Sequence, residues 1–199
     1  KKTETADFSV LLVWGMTPTG DLHIIDCVRG KWDFPGLKRI CISTNAQYRG
    51  KGLRGIYIED KASGQSLLQE LRTESGMSVI PYKVVNDKVA RLNAVTPLIE
   101  GGRVFLPNKA GWLDDFFAEM QSFPSGKNDD IVDALSMGLD VLSRMGGQAS
   151  DAISGTIDLS SSLYAQFSPI DPDAKQLGEW VDNVGREERK ERYFVRWGE

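Results

Sequence analysis

The spacing of apolar positions predicts a chain that begins with two strands and continues with a helix. Segments 7–15 and 22–28 are apolar and rich in strand-forming residues, and a turn containing Thr, Pro and Gly separates them. This arrangement predicts a hairpin. A helix is predicted to open at Asp33-Phe34-Pro35, because proline suits the first turn of a helix.

Short apolar segments then alternate with amphipathic ones. Strands are predicted at 53–60, 77–82 and 103–107, and helices at 65–74, 87–100 and 111–121. Ser63 is predicted to cap the first of these helices, and Pro97 to kink or end the second. The strand–helix–strand order predicts a parallel pair of strands, so the expected fold class is α/β.

Three carboxylates, Asp129, Asp130 and Asp133, fall within five residues where a loop rich in Pro, Ser and Gly gives way to a helix. Ile131 and Leu135 begin the helical spacing of apolar residues there. Acidic residues are favoured at helix starts, so capping explains Asp129 or Asp130. Capping does not explain Asp133, since crowded carboxylates repel one another unless a cation or proton offsets them. Helix capping and a divalent-metal site therefore both stay open at this segment.

Glu59 and Asp60 end the predicted strand at 53–60. A carboxylate directly after an apolar strand is often a turn residue or a helix cap, but ligands in open α/β sheets tend to bind at the carboxyl ends of strands. The strand is predicted to be central, and one of the two side chains is expected to face a site, because successive side chains point to opposite faces. Carboxylates from a strand end and from a helix start together match two-metal phosphoryl chemistry.

Composition excludes other classes of site. The 199 residues include one histidine, His23, and two cysteines without CxxC spacing, so neither a zinc site nor a disulfide framework is predicted. His23 is predicted to be a strand residue. No apolar run approaches the length of a membrane span. Any catalytic chemistry must therefore rest on carboxylates.

Charge divides the chain into two parts. The residues from Gly146 onward hold 10 acidic and 6 basic side chains, whereas the residues before them hold 18 of each sign. Because the residues before Gly146 carry no net charge, any basic groove that binds nucleic acid is expected to be local. We predict a domain at 1–145 and a C-terminal tail at 146–199. The tail combines linker-like composition at 160–162 and 169–172 with a charged helix at 187–192.

Four segments resemble motifs of a known family and follow in that family's order. They are 58–67 (IEDKASGQSL), 87–91 (DKVAR), 102–107 (GRVFLP) and 128–135 (NDDIVDAL). With the hairpin, they resemble the nuclease domain of tailed-phage terminase large subunits over about residues 1–144. The resemblance implies an RNase H-like fold, in which a mixed sheet starts with an antiparallel hairpin, continues with parallel strands and is flanked by helices.

The resemblance also implies an endonuclease that cuts concatemeric double-stranded phage DNA with two Mg²⁺ or Mn²⁺ ions. Glu59 matches the family's middle metal ligand, with Asp60 as a substitute, and Asp130 matches the late ligand. Asp129 and Asp133 share or support the metals. The implied catalytic residues are Glu59, Asp130 and Asp133.

Two parts of a terminase are expected elsewhere. The family's first catalytic aspartate lies on a strand that would precede Lys1, which leaves Asp7 as a substitute or supporting ligand. The ATPase domain is expected in the full chain, since no GxxxxGK[ST] segment occurs here. The other expected partners are double-stranded DNA, the portal and the small terminase subunit. The expected location is the host cytoplasm, and no membrane is expected as a partner.

Basic residues beside the motifs are predicted to contact DNA phosphates without reading sequence. They are Lys61, Lys88, Arg91 and Lys127. Two alternative functions stay open. One is another RNase H-like nuclease, such as a resolvase or a transposase core. The other is a non-catalytic docking module of the packaging motor. The tail favours this alternative, because it is acidic and carries Tyr193, Phe194 and Trp197 near its end, where they can contact a protein partner.

Overall fold

A computed structural model describes residues 8–74, 77–146 and 167–170, and its first two strands form the predicted hairpin. Strand β1 (Ser9–Met16) pairs antiparallel with β2 (Leu22–Gly30). The turn between them contains Gly20 at φ +86°, a left-handed conformation that glycine adopts without strain. His23 lies in β2 as predicted. It is 2% exposed and stacks on Phe105 with 4.7 Å between the ring centroids.

The remaining strands fall into two hydrogen-bonded groups. Strand β3 (Ile56–Glu59) pairs in parallel with β4 (Val79–Tyr82), as the strand–helix–strand order predicted. Strand β5 (Val104–Pro107) pairs in parallel with β2, which gives the mixed strand pairing expected of the fold class. The predicted central position of β3 is not observed, because within the described residues β3 pairs with β4 alone.

Five helices connect and cover the strands in the described part of the chain. They are α1 (Phe34–Arg49), α2 (Ala62–Arg72), α3 (Lys88–Glu100), α4 (Leu113–Ser122) and α5 (Asp130–Gly146). Asp33 and Asp87 cap α1 and α3 by accepting backbone N–H groups three residues on, both at 2.9 Å. Pro97 lies inside α3, and the helix continues beyond it to Glu100.

The prediction that Ser63 caps α2 is wrong. Helix α2 begins at Ala62, so its N-cap residue is Lys61, whose side chain makes no capping hydrogen bond. The cause is a tight turn out of β3: a Cβ atom on Gly64 would lie 2.1 Å from the carbonyl oxygen of Glu59. The chain therefore enters the helix directly after the strand, two residues earlier than a serine cap would require.

Two apolar cores stabilise these elements. The larger joins β2, β5, α3, α4 and α5, and includes Ile131, Leu135 and Leu139 of α5, each at most 1% exposed. The spacing predicted for that helix is therefore confirmed. The smaller core joins α1, α2 and β4. Helix α5 also packs closely on β1, where a Cβ atom on Gly138 would lie 2.3 Å from Trp14 Nε1.

A sixth strand lies in the segment predicted to be the tail. Strand β6 (Phe167–Pro169) pairs antiparallel with β5, and Ile170 is buried in the larger core. Pro169 thus belongs to a strand, where its composition predicted linker. The domain boundary at 145 stays a prediction. Asp7 and the charged run at 187–192 lie outside the described residues, and so do the aromatic residues at 193–197.

No helix in the described segments is both long enough and apolar enough to cross a membrane.

Candidate functional site

Three carboxylates lie at the start of α5, Asp129 directly before the helix and Asp130 and Asp133 in its first turn. The backbone N–H of Asp133 donates to the carbonyl oxygen of Asp129 at 2.9 Å, which is the first hydrogen bond of the helix. Ile131 and Val132 are 0% and 1% exposed, so these positions face the core. Asp129, Asp130 and Asp133 are half-buried. The helical period therefore groups the carboxylates at one rim of the core.

Helix α3 supplies cations to this cluster. Lys88 Nζ lies 2.6 Å from Asp129 Oδ2 and 2.9 Å from Asp133 Oδ2. One turn further along α3, an Arg91 terminal nitrogen (NH2) donates to Asp133 Oδ1, and Arg91 Nε donates to Ser136 Oγ at 3.0 Å. The ammonium and the guanidinium thus offset the repulsion between the carboxylates.

Burial and the two carboxylates have opposite effects on the pKa of Lys88. Burial acts to lower it, but the hydrogen bonds to Asp129 and Asp133 outweigh burial and raise the pKa of Lys88 above its ordinary value. Lys88 therefore stays charged throughout the neutral range. Its side chain is 42% exposed, whereas that of Arg91 is 8% exposed. Of the two predicted DNA contacts on α3, Lys88 is accessible and Arg91 is held inside the protein.

The carboxylates at the end of β3 have local partners. Glu59 is the last residue of the strand, and its Oε1 lies 2.7 Å from Lys61 Nζ. The Asp60 carboxylate accepts from Gln65 Nε2 at 3.3 Å. Lys61 is thus close to Glu59, as the sequence placed it, but its ammonium is paired with a carboxylate in the chain itself.

A hydrogen bond connects the two carboxylate regions. Glu59 of β3 is in register with Tyr82 of β4, and the Tyr82 hydroxyl donates to Asp140 of α5 at 2.8 Å. Burial and this bond raise the pKa of Tyr82 to about 12, so the hydroxyl keeps its proton at neutral pH. The strand that carries Glu59 is therefore attached to the helix that carries Asp130 and Asp133.

The structure does not assemble all the predicted ligands into one cluster. Over residues 8–74, 77–146 and 167–170, no group of three or more His, Cys, Asp and Glu side chains is arranged to hold a metal ion. Asp129 and Asp133 do converge on one cationic position, which the Lys88 ammonium takes. Carboxylate oxygens are the ligands that Mg²⁺ and Mn²⁺ prefer, so the chemistry of this donor set fits a divalent cation. Lys127, the fourth predicted DNA contact, is exposed in the loop before Asp129.

Sequence reasoning missed one residue of the site, Glu119. It lies on α4, is 5% exposed, and accepts backbone N–H groups from Ile131 and Val132 at the start of α5. Burial raises the pKa of the Glu119 carboxyl, and the two backbone bonds and Arg29 act against that rise. The signal available in the sequence was its position. Glu119 lies three residues after Phe116 and one before Met120, on the buried face of an amphipathic helix.

The chain was also compared with known proteins. A family model described as a terminase RNaseH-like domain matches residues 2–141, a range that contains every candidate residue named above. Comparison with curated proteins and with solved structures gives no match. The family match confirms the resemblance drawn from the four motifs and the RNase H-like class of fold.

Proposed function

The chain belongs to the terminase RNaseH-like domain family, and we propose that it is the metal-dependent endonuclease domain of a viral DNA-packaging terminase large subunit. It cuts concatemeric double-stranded DNA by hydrolysing phosphodiester bonds. The observation that carries this proposal is the convergence of Asp129 and Asp133 on one cationic position at the start of α5. Crowded carboxylates of this kind are expected where a protein binds divalent cations.

Glu59, Asp130 and Asp133 are the proposed catalytic carboxylates. Asp60, Asp129 and Asp7 are proposed as further ligands. When bound, two Mg²⁺ or Mn²⁺ ions activate water and stabilise the leaving oxygen. This chemistry needs no nucleophilic side chain, which agrees with a sequence that offers one buried histidine and two buried cysteines.

The basic residues take two different roles in this proposal. Lys88 is 42% exposed and held by carboxylates that also bind the cations, so it moves to the DNA phosphate when cations bind. Arg91 stays inside and orients Asp133, because its guanidinium is enclosed and bonded to both Asp133 and Ser136. Lys61 and Lys127 are exposed and contact the phosphate backbone.

The packaging role follows from the family. Within it, the domain acts beside the terminase ATPase domain, with the portal and the small subunit as partners, on bacteriophage DNA in the host cytoplasm. A resolvase or transposase core has the same kind of carboxylates but prefers branched DNA or DNA ends. A docking module needs none of the carboxylates. These differences separate the three functions by experiment.

The test is cleavage of supercoiled plasmid in Mn²⁺, with the 199-residue chain and an N-terminally extended form in parallel. Asp130→Ala and EDTA are each expected to abolish cleavage. Asp114→Ala is the matched control, because Asp114 is an exposed carboxylate in the first turn of α4. Linear and four-way-junction DNA are compared as substrates.

Cleavage of linear DNA that is lost in both the variant and EDTA supports the proposal. Preference for the junction favours a resolvase, and no cleavage by either folded form favours the docking module. Cleavage that survives Asp130→Ala contradicts the proposed site.

A further inference from the structure

A carboxylate from outside α5 holds the start of that helix. Glu119 Oε1 accepts hydrogen bonds from the backbone N–H groups of Ile131 (2.5 Å) and Val132 (3.3 Å). Since Asp130 is the first helical residue, these N–H groups belong to the second and third positions of the helix. They are the donors that a capping side chain at Asp129 ordinarily satisfies.

Glu119 therefore fills the capping role that the sequence offered to Asp129. The Asp129 carboxylate is bound to Lys88, and the Asp133 carboxylate to Lys88 and Arg91. The Ile131 and Val132 N–H groups are satisfied by a side chain from the buried side of the helix. Asp129 and Asp133 therefore do not cap the helix, and their carboxylates bind the cationic side chains of α3 instead.

The second oxygen of Glu119 faces the sheet. A terminal nitrogen (NH2) of Arg29 in β2 lies 3.3 Å from Glu119 Oε2, and the Arg29 guanidinium covers the Phe8 ring at 3.8 Å from its centroid. A buried carboxylate is costly unless it is paired and hydrogen-bonded, and here Oε1 accepts the two backbone hydrogen bonds while Oε2 is paired with the Arg29 guanidinium. Glu119 consequently joins β2, α4 and α5, and it contacts α5 at the two residues that follow Asp130.

We propose that Glu119 is a positioning residue for the nuclease carboxylates. It fixes the backbone at Ile131 and Val132, and through that backbone it sets the orientation of Asp130 and Asp133. The inference rests on the proposed nuclease function for its catalytic readout, but its effect on cation binding and on the amides of α5 can be measured without cleavage. If Glu119 were purely structural, substituting it would lower stability and leave the cation affinity and turnover of the folded protein unchanged.

Three substitutions separate these roles. Glu119→Ala removes both hydrogen bonds. Glu119→Gln keeps an oxygen that accepts N–H groups and removes the charge. Glu119→Asp keeps the charge but shortens the reach, and it carries the test if the alanine variant does not fold. The control is Leu142→Ala, which removes a side chain of α5 that packs against the larger core and so loosens the same helix away from its first turn.

In the folded protein, Glu119→Ala is expected to weaken Mn²⁺ binding and to lower kcat, each by about 10–100-fold, with a smaller change in KM. Glu119→Asp is expected to show part of the same losses. Glu119→Gln restores most of the kcat. Hydrogen exchange at the Ile131 and Val132 amides is fast in the alanine variant and slow in the glutamine variant. Leu142→Ala is expected to leave Mn²⁺ affinity and kcat unchanged.

Mn²⁺ affinity and kcat that stay at the wild-type level in folded Glu119→Ala, or in Glu119→Asp where alanine prevents folding, overturn the inference. Equal losses in Leu142→Ala also overturn it, because they would reflect general loosening of α5. If the wild-type protein does not cleave DNA, the proposed function fails, and Mn²⁺ affinity alone then decides the role of Glu119.

Discussion

The start of α5 and the end of β3 both present carboxylates, but they are held in different ways. At α5 the partners come from distant parts of the chain: Lys88 is 41 residues from Asp129, and Arg91 is 42 residues from Asp133. At β3 the partner of Glu59 is Lys61, two residues away. The carboxylates themselves are similarly exposed, at 31% for Asp133 and 37% for Glu59.

The difference lies in the partners. Arg91 is 8% exposed and Lys61 is 59% exposed, so the guanidinium is fixed by tertiary packing whereas the ammonium is held by a surface contact. A surface ion pair contributes little to stability, because water screens it and both side chains lose rotational freedom. We infer that α5 is the preorganised half of the proposed site and that the end of β3 adjusts when cations and DNA bind.

The largest expected effect is on cleavage, and it tests whether both regions serve one site. Glu59→Ala and Asp130→Ala are each expected to abolish Mn²⁺-dependent cleavage while leaving the folded state intact, because neither side chain belongs to the two apolar cores. Plasmid cleavage measures the loss of activity, and thermal unfolding measures whether the folded state is intact. Full cleavage by Glu59→Ala would mean that the β3 carboxylate lies outside the site.

The next effect is on stability and tests the contrast between partners. Arg91→Met leaves Asp133 and Ser136 without their buried donor and is expected to lower the free energy of unfolding by about 2 kcal/mol. Lys61→Met breaks an exposed pair and is expected to change it by less than about 0.5 kcal/mol. Urea unfolding of both variants measures the difference. Equal changes would contradict the assignment of a rigid half and an adaptable half.

A smaller effect concerns competition between Lys88 and the cation. Lys88→Met is expected to raise the Mn²⁺ affinity of the DNA-free protein about fivefold, since the ammonium no longer competes for the carboxylates and an ion pair of this exposure is worth up to about 1 kcal/mol. Lys38→Met is the matched control, because Lys38 also bridges two carboxylates, Glu70 and Glu74, in another part of the fold. Calorimetric titration would contradict the competition if Lys88→Met left the affinity unchanged.

The smallest effect is a pH dependence at the same lysine. Burial acts to lower the pKa of Lys88, but its hydrogen bonds to Asp129 and Asp133 raise it above the ordinary 10.5. A raised lysine pKa contributes stability that is fully present below the unfolded value and is lost as pH rises through the folded value. Stability is therefore expected to fall above about pH 10.5 by a larger amount in the wild type than in Lys88→Met. Parallel losses in both proteins would show that Lys88 contributes nothing.

The features that local rules govern were predictable from the sequence. The hairpin, the helix openings at Asp33 and Asp87, the parallel pair and the apolar face of α5 each follow from spacing and capping within a few residues. The Ser63 cap failed because the close approach of Gly64 to the Glu59 carbonyl, a contact across the turn, fixes where α2 begins.

The features that depend on tertiary packing were not predictable. The sequence left capping and cation binding open for Asp129, and the choice depends on Glu119 of α4 and on Lys88 of α3. A glutamate on a helix is ordinarily a surface residue, so the position of Glu119 on the apolar face of α4 was only a weak indication that it is buried. The pairing of β6 with β5 likewise joins segments about 60 residues apart, and composition alone does not reveal it.

Whether β3 and α5 contribute to one cation site is tested most directly by calorimetric titration of the DNA-free protein with Mn²⁺, comparing the wild type with Glu59→Ala, Asp130→Ala and Asp114→Ala. The first two substitutions are each expected to weaken Mn²⁺ binding by about tenfold or more, and the control is expected to leave it unchanged. Binding that is lost in Asp130→Ala but kept at the wild-type level in Glu59→Ala would contradict the claim that the two regions form one cation site.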